Sequence, residues 1–188
     1  SIQNELLNGS YEVGRYREFF VFEPKKRLIM ALPYKDRVVQ LALYRVTNPI
    51  LSRGYITDTY ACVNDRGAHK AVKRLQYWLR LTENTPEKWY YLKLDISKFF
   101  YRVDHDVLLS ILRRRFSDDK LMQLFELIIR SEDVPFGLPL GYNPGEAERL
   151  YDRGMPIGNL TSQMFANTYL NEVDQYIKRE LRVKRYAR

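Results

Sequence analysis

The stretch YLKLDISKFFYRVDHD, residues 91–106, sets the fold. Tyr91, Leu92, Leu94 and Ile96 form a short apolar run that predicts a buried strand. Asp95 stands in the middle of it, and Phe99 and Phe100 follow at once. A carboxylate in an apolar interior must be paired or must bind a cation. Lys93, two residues away on the same strand face, offers a structural ion pair. A metal ion is the other resolution.

Phosphoryl-transfer sites often hold two Mg²⁺ ions about 4 Å apart. At an effective dielectric near 20 such ions repel by roughly 17 kcal/mol. Several carboxylates and substrate phosphates must offset that, so Asp95 alone is an incomplete set. Phe100 lies five residues further on. Beside a metal-bound nucleotide, a ring there would meet the sugar and exclude a ribose 2′-hydroxyl. Core packing is the plainer reading of Phe99 and Phe100.

Working outward, REFFVFEPKKRLIMALP (17–33) predicts two short strands joined by a basic tip at Pro24, Lys25 and Lys26. The next segment spaces Val38, Val39, Ala42, Leu43, Val46 and Ile50 as on a helix. A second helix is predicted from near His69 to Leu81, with Val72, Leu75 and Leu79 inward. Asp104 can cap a helix carrying Val107, Leu108, Ile111 and Leu112, with Arg113, Arg114 and Arg115 at its cation-favouring end. Another helix covers 119–130. VPFGLPLGYNPGEAERLYDRG (134–154) is a long Gly/Pro loop. From Asn159 an amphipathic helix presents Phe165, Tyr169, Val173 and Tyr176 on one face, and LRVKRYAR (181–188) reads as the start of a strand.

The 188 residues suffice for one domain or two small lobes. An apolar share of 45% argues against wholesale disorder. A net charge of +8, from 31 Lys plus Arg against 23 Asp plus Glu, favours an anionic partner, and the 15 tyrosines and 9 phenylalanines suit stacked bases or a core equally. The single cysteine, Cys62, precludes an internal disulfide, reads as a packed thiol and suggests a reducing, cytoplasmic setting. No apolar run is long enough to span a membrane. His69 and His105 lack metal-ligand partners at useful spacing, and Asp106 reads as a further helix-start residue.

Four blocks, taken in order, resemble the reverse transcriptase family. LKLDISKFFYRVDHDVL resembles the first palm motif, with a metal-binding Asp and an aromatic steric gate five residues later. EPKKRLIMALPYKDRVVQ is similar to the fingers region that grips the incoming triphosphate, and YACVNDRGAHKAV to the fingers motif that meets the template strand. GMPIGNLTSQMFANTYL resembles the motif beneath the templating pair. The resemblance implies an α+β fold: right-hand polymerase fingers with an incomplete palm, an antiparallel sheet backed by helices, and no thumb. It divides the chain into fingers (1–88), first palm motif (89–117), connecting helix and loop (118–153) and incomplete palm (154–188). It implies Asp95 and the carbonyl of Ile96 as Mg²⁺ contacts, with Mn²⁺ as a substitute. It implies Phe100 as the gate beside Phe99; Lys25, Arg27 and Arg37 toward the triphosphate; and Pro156, Ile157 and Gly158 at the nascent pair. Implied partners are an RNA template, a DNA or RNA primer and deoxynucleoside triphosphates, with no membrane.

Two departures refine this. The family pattern Gly-x-Pro-Gln-Gly followed by Ser-Pro here has Ile157 for the glutamine and Gln163 after Ser162. That combination resembles the reverse transcriptases of diversity-generating retroelements, which copy RNA with frequent errors and work with a basic accessory protein. The Tyr-x-Asp-Asp motif that carries the other catalytic acids is not reached by Arg188, so the chain is expected to be a piece that does not itself extend a primer. Two other classes remain open: a non-catalytic RNA-binding relative such as an intron splicing cofactor, and a basic module with no nucleic-acid role.

Overall fold

The structure, a computed structural model, describes residues 1–22, 27–131 and 133–188. A short helix α1 (Ile2–Asn8) leads into a hairpin of β1 (Arg17–Val21) and β2 (Arg27–Ala31), antiparallel from Arg17↔Ala31 to Val21↔Arg27. Met30 turns its side chain into the interior. The α+β class predicted from sequence is the class observed, with this hairpin as the sheet among the described residues.

Helix α2 (Tyr34–Ser52) buries Asp36, Val39, Gln40, Leu43, Thr47 and Leu51, one i, i+4 row. Of the residues spaced as on a helix, Val39 and Leu43 are buried, while Val38, Ala42, Val46 and Ile50 face solvent. Two of the row's polar members, Thr47 and Asp36, are satisfied, while Gln40 Nε2 is buried without a hydrogen-bond partner among the described residues. The Thr47 hydroxyl donates to the Leu43 carbonyl at 2.7 Å. The Asp36 carboxylate accepts from the Tyr11 hydroxyl at 2.6 Å and the Gly14 amide at 3.2 Å, which straps residues 11–16 across the helix start.

Helix α3 (Ala68–Glu83) forms where expected but buries nothing: Val72, Leu75 and Leu79 are each more than half exposed, so the inward placement is corrected. No helix covers its apolar side among the described residues. Residues 89–96 form neither helix nor strand, which corrects the predicted buried strand. A strand exists through its ladder, and no described strand bonds to this one. Tyr91 is 92% exposed and Leu92 82% exposed, and Asp95 faces solvent with them, away from any closed interior.

A 3₁₀ turn (Phe99–Tyr101) leads into α4 (His105–Arg113), capped by Asp104, whose Oδ1 accepts from the Val107 amide at 3.0 Å. Asp106 takes no part in that cap; it pairs with Arg130. Helix α5 (Asp119–Ile129) is capped in the same way by Asp118. Helix α6 (Leu160–Gln175) runs on into a π-helical turn (Tyr176–Glu180). Its buried face holds Phe165 but also Asn167, Thr168, Asn171 and Asp174, while Val173 and Tyr176 face solvent, contrary to the predicted stripe. Residues 181–188 form no strand. Cys62 is exposed rather than packed, at a positive φ of 52°.

The core lies where α2, α4, α5 and α6 meet. Leu108, Leu112 and Phe125 are fully enclosed there with Leu43, Met164 and Phe165. Side chains of this size contribute about 1.5–3 kcal/mol each on burial, so this four-helix junction carries the site's scaffold.

Candidate functional site

The aromatic turn and the glycine turn lie side by side. Residues 100–105 run antiparallel to 152–155. The Met155 amide donates to the Phe100 carbonyl at 2.6 Å, Gly154 to Val103 at 2.7 Å, and His105 to Asp152 at 3.2 Å. Lys98, in a left-handed conformation at φ 54°, swings the chain from the exposed 89–96 segment into the 3₁₀ turn, and its Nζ donates to the Tyr142 carbonyl at 2.8 Å. Phe99 and Phe100 are half-buried, meet edge to face at 5.7 Å and rest on the helical core, with Phe99 also edge-on to Tyr169 at 6.1 Å.

The glycine turn reaches the hairpin as well. The Met30 amide donates to the Ile157 carbonyl at 3.0 Å. Gly158, at φ 117°, sits so close to β2 that a Cβ would lie 3.1 Å from Ile29 Cγ2. Pro156 is buried and Ile157 half-buried. Asn159 Nδ2 donates to the Tyr16 hydroxyl at 3.2 Å, and the Tyr16 ring stands edge-on to Phe136 at 5.2 Å. Burial pushes the Tyr16 phenol well above its ordinary range, so the hydroxyl stays protonated. Neither Tyr16 nor the role of Asn159 toward it was legible in the sequence; 143 residues separate the two.

The structure therefore sets the 156–158 turn against β2 through Ile157 and Gly158, and joins the turn of Phe99 and Phe100 to the same segment through the Met155–Phe100 bond. Arg27 opens that strand, three residues and about 10 Å along it from Met30. Arg37 is exposed in the first turn of α2, its guanidinium 5.8 Å from the Tyr34 ring centroid. Lys25 lies outside the described residues. Asp95 and Ile96 lie on the exposed segment leading into the aromatic turn. Among the described residues no three Asp, Glu, His or Cys side chains gather into a metal-holding group. Mg²⁺ demands a near-octahedral oxygen shell, which one carboxylate and one carbonyl do not supply.

His105 locks the two turns together. Its Nε2 lies 2.7 Å from the Gly154 carbonyl, which can only accept, so Nε2 carries the proton; Nδ1 is buried without a partner among the described residues. Burial, the largest influence, drives the imidazole pKa below its ordinary 6.5, opposed mainly by the bond to Gly154. The unfolded chain thus takes up a proton first as pH falls. Stability is complete above about pH 6.5 and declines below it toward the folded-state value. Thermal melts from pH 7.5 to 5 are expected to show this decline, and His105→Gln, whose amide can still donate but does not titrate, is expected to flatten it. Parallel curves for the two proteins would contradict the assignment.

Residues 23–187 match the family described as Reverse transcriptase (RNA-dependent DNA polymerase). Relatives include Protein YkfC of Escherichia coli strain K12, 29% identical over 94% of this chain and 44% of its own length. The Group II intron-encoded protein LtrA of Lactococcus lactis subsp. cremoris is 22% identical over 94% of this chain and 27% of its own length. A third, the Uncharacterized 91 kDa protein in cob intron of Schizosaccharomyces pombe, is 24% identical over 82% of this chain and 17% of its own length. The chain spans less than half the length of these relatives.

Proposed function

The chain belongs to the reverse transcriptase (RNA-dependent DNA polymerase) family, and from that premise we propose that it forms the nucleotide-facing part of an RNA-directed DNA polymerase. The observation that carries the reading is the pair of hydrogen bonds Met155–Phe100 and Met30–Ile157. They hold the aromatic turn, the glycine turn and the hairpin as one unit, as a site that must grip sugar, base pair and triphosphate together requires. In this reading Phe100, supported by Phe99, faces the sugar of the incoming nucleotide. Pro156, Ile157 and Gly158 lie under the nascent pair, and Lys25, Arg27 and Arg37 serve the triphosphate. Asp95 and the Ile96 carbonyl are part of a donor set that further acids must complete, so these 188 residues alone leave a primer unextended.

The intron-encoded relative LtrA agrees with a retroelement setting. Ile157 and the exposed Gln163 support a finer reading, in which the polymerase is the error-prone, mutagenic type: an apolar side chain beside the pair cannot police its geometry by hydrogen bonding. The test is a polymerase that carries this chain together with the remaining acids. Phe100→Val is expected to lower its preference for deoxyribonucleotides over ribonucleotides by about 10–100-fold, and Ile157→Gln to narrow its error spectrum. Unchanged sugar selectivity sinks the gate assignment; an unchanged error spectrum sinks the mutagenic reading alone.

A further inference from the structure

Tyr16 holds the glycine turn at both ends. At one end its hydroxyl accepts from Asn159 Nδ2 at 3.2 Å. At the other its ring stands edge-on to Phe136 at 5.2 Å, and Gly154 is seated against the Phe136 backbone. Phe136 and Asn159 are both buried, where a packed or hydrogen-bonded contact counts for more than at the surface. Asn159 opens α6, a position from which an asparagine ordinarily bonds the first amides of its own helix. Here it makes no such bond and reaches Tyr16 instead. The side chain is given to a contact between segments rather than to its own helix. Tyr16 is fixed from the other direction too. It ends the strap of residues 11–16 that Asp36 pins through Tyr11 and Gly14, and it immediately precedes β1. One residue thus joins the start of α2, the hairpin and the turn.

We propose that Tyr16 is a positioning residue for base-pair selection: bonded to Asn159 and packed on Phe136, it fixes the seat of Ile157 and Gly158 beneath the nascent pair without touching the substrate itself. The proposal rests on the polymerase reading and adds to it the residue that sets how rigidly the turn is held. What the turn presents makes rigidity matter. Ile157 has no hydrogen-bonding side chain, Gly158 has no side chain at all, and Pro156 is buried. A surface of that kind selects a base pair by fit alone, and fit is as sharp as the surface is well supported. Removing the Tyr16 hydroxyl releases the Asn159 end of the turn and leaves the Phe136 end packed. The loosened turn then yields to a mispair, whereas a complementary pair asks for no yielding. Loss of the bond therefore acts on wrong insertion more than on insertion as such.

The test uses a polymerase that carries this chain together with the remaining acids, and measures insertion of each deoxynucleoside triphosphate opposite one templating base. Tyr16→Phe is expected to raise the ratio of wrong to right insertion about three- to tenfold, the range for one lost neutral hydrogen bond, with kcat/KM for the complementary nucleotide within about twofold of the original. Asn159→Ala cuts the same bond from its other side and is expected to match that change. The double variant is expected to be no worse than either single, because the two residues make one contact. If Tyr16→Phe leaves the ratio unchanged, or lowers right and wrong insertion by one factor, Tyr16 serves the fold alone and the proposal is overturned. An altered sugar preference in Phe100→Val would in that case leave the polymerase reading standing. Fully additive effects of the two single variants overturn the shared contact. A polymerase of this composition that inserts no nucleotide overturns the polymerase reading and this proposal together.

Discussion

Arg188→Met is expected to cost the fold about 3–5 kcal/mol, a third or more of the stability of an ordinary domain. The reason is Asp174, fully buried on the inner face of α6. Arg188 Nε donates to both its carboxylate oxygens, at 3.0 and 2.8 Å, and the Tyr186 hydroxyl adds a third bond at 2.7 Å. The same guanidinium spans to Asn167, from Nη1 to its Oδ1 at 2.9 Å and from Nη2 to its carbonyl at 3.3 Å. Arg188 is also tied through its backbone to the loop before α3, its amide donating to the Asp58 carbonyl at 2.9 Å and its carbonyl accepting from the Tyr60 amide at 2.7 Å. Methionine fills much of the volume but leaves a carboxylate in the interior with one donor. In urea the unfolding midpoint is expected to fall by about 2 M. Adding Asp174→Asn to Arg188→Met removes the stranded charge and is expected to recover most of the loss. A single variant within about 1 kcal/mol of the original would show that water reaches Asp174 and that the pair does not hold the tail.

That network explains what the sequence could not disclose. The helices that begin with their own acids, α4 at Asp104 and α5 at Asp118, are marked locally, because cap and helix lie within three residues. Although the Asn159 side chain caps nothing and bonds Tyr16 instead, the start of α6 is legible from the turn of Gly154, Pro156 and Gly158 before it. The inner faces of α2 and α6 are not. Periodicity reads apolar residues as inward, yet Thr47, Asp36, Asn167 and Asp174 are inside because partners elsewhere satisfy them. Apart from the Leu43 carbonyl that takes the Thr47 hydroxyl, those partners lie beyond the helix's own turns; Asn167 donates to the Ala61 carbonyl, 106 residues away. The segment around Asp95 failed for the opposite reason. Its composition is that of a strand, but a ladder needs a second strand, and none among the described residues supplies it. The adjacency of Phe100 to the 154–158 turn was implied by the resemblance, not by spacing; Tyr16, which braces that turn, left no signal at all.

The second large effect is expected at Gly154, where conformation and space both exclude a side chain. Its φ is 91°, and a Cβ there would lie 2.5 Å from the Phe136 carbonyl carbon, 2.6 Å from the Gly137 nitrogen and 2.7 Å from the Phe136 oxygen. Every one of these atoms is backbone, so no rotamer change relieves the overlap. The opposing segment is not free to retreat. Gly137 exchanges bonds with Leu150 at 2.9 and 3.1 Å, and Leu138 donates to Tyr101 at 3.0 Å. On its other side Gly154 donates to Val103 and accepts from His105. Gly154→Ala is therefore expected to lose more than about 3 kcal/mol, the positive φ accounting for about 1–2 of it and forced backbone displacement for the rest. Gly141 supplies the control. It has the same φ of 91° with nothing within 4 Å of a built Cβ, so Gly141→Ala bears the conformational cost alone. Chemical denaturation of the two variants isolates the steric part by difference. Equal losses would mean that the 136–137 loop yields to a methyl group, and the tight seating of the glycine turn against Phe100 and β2 would then owe nothing to Gly154.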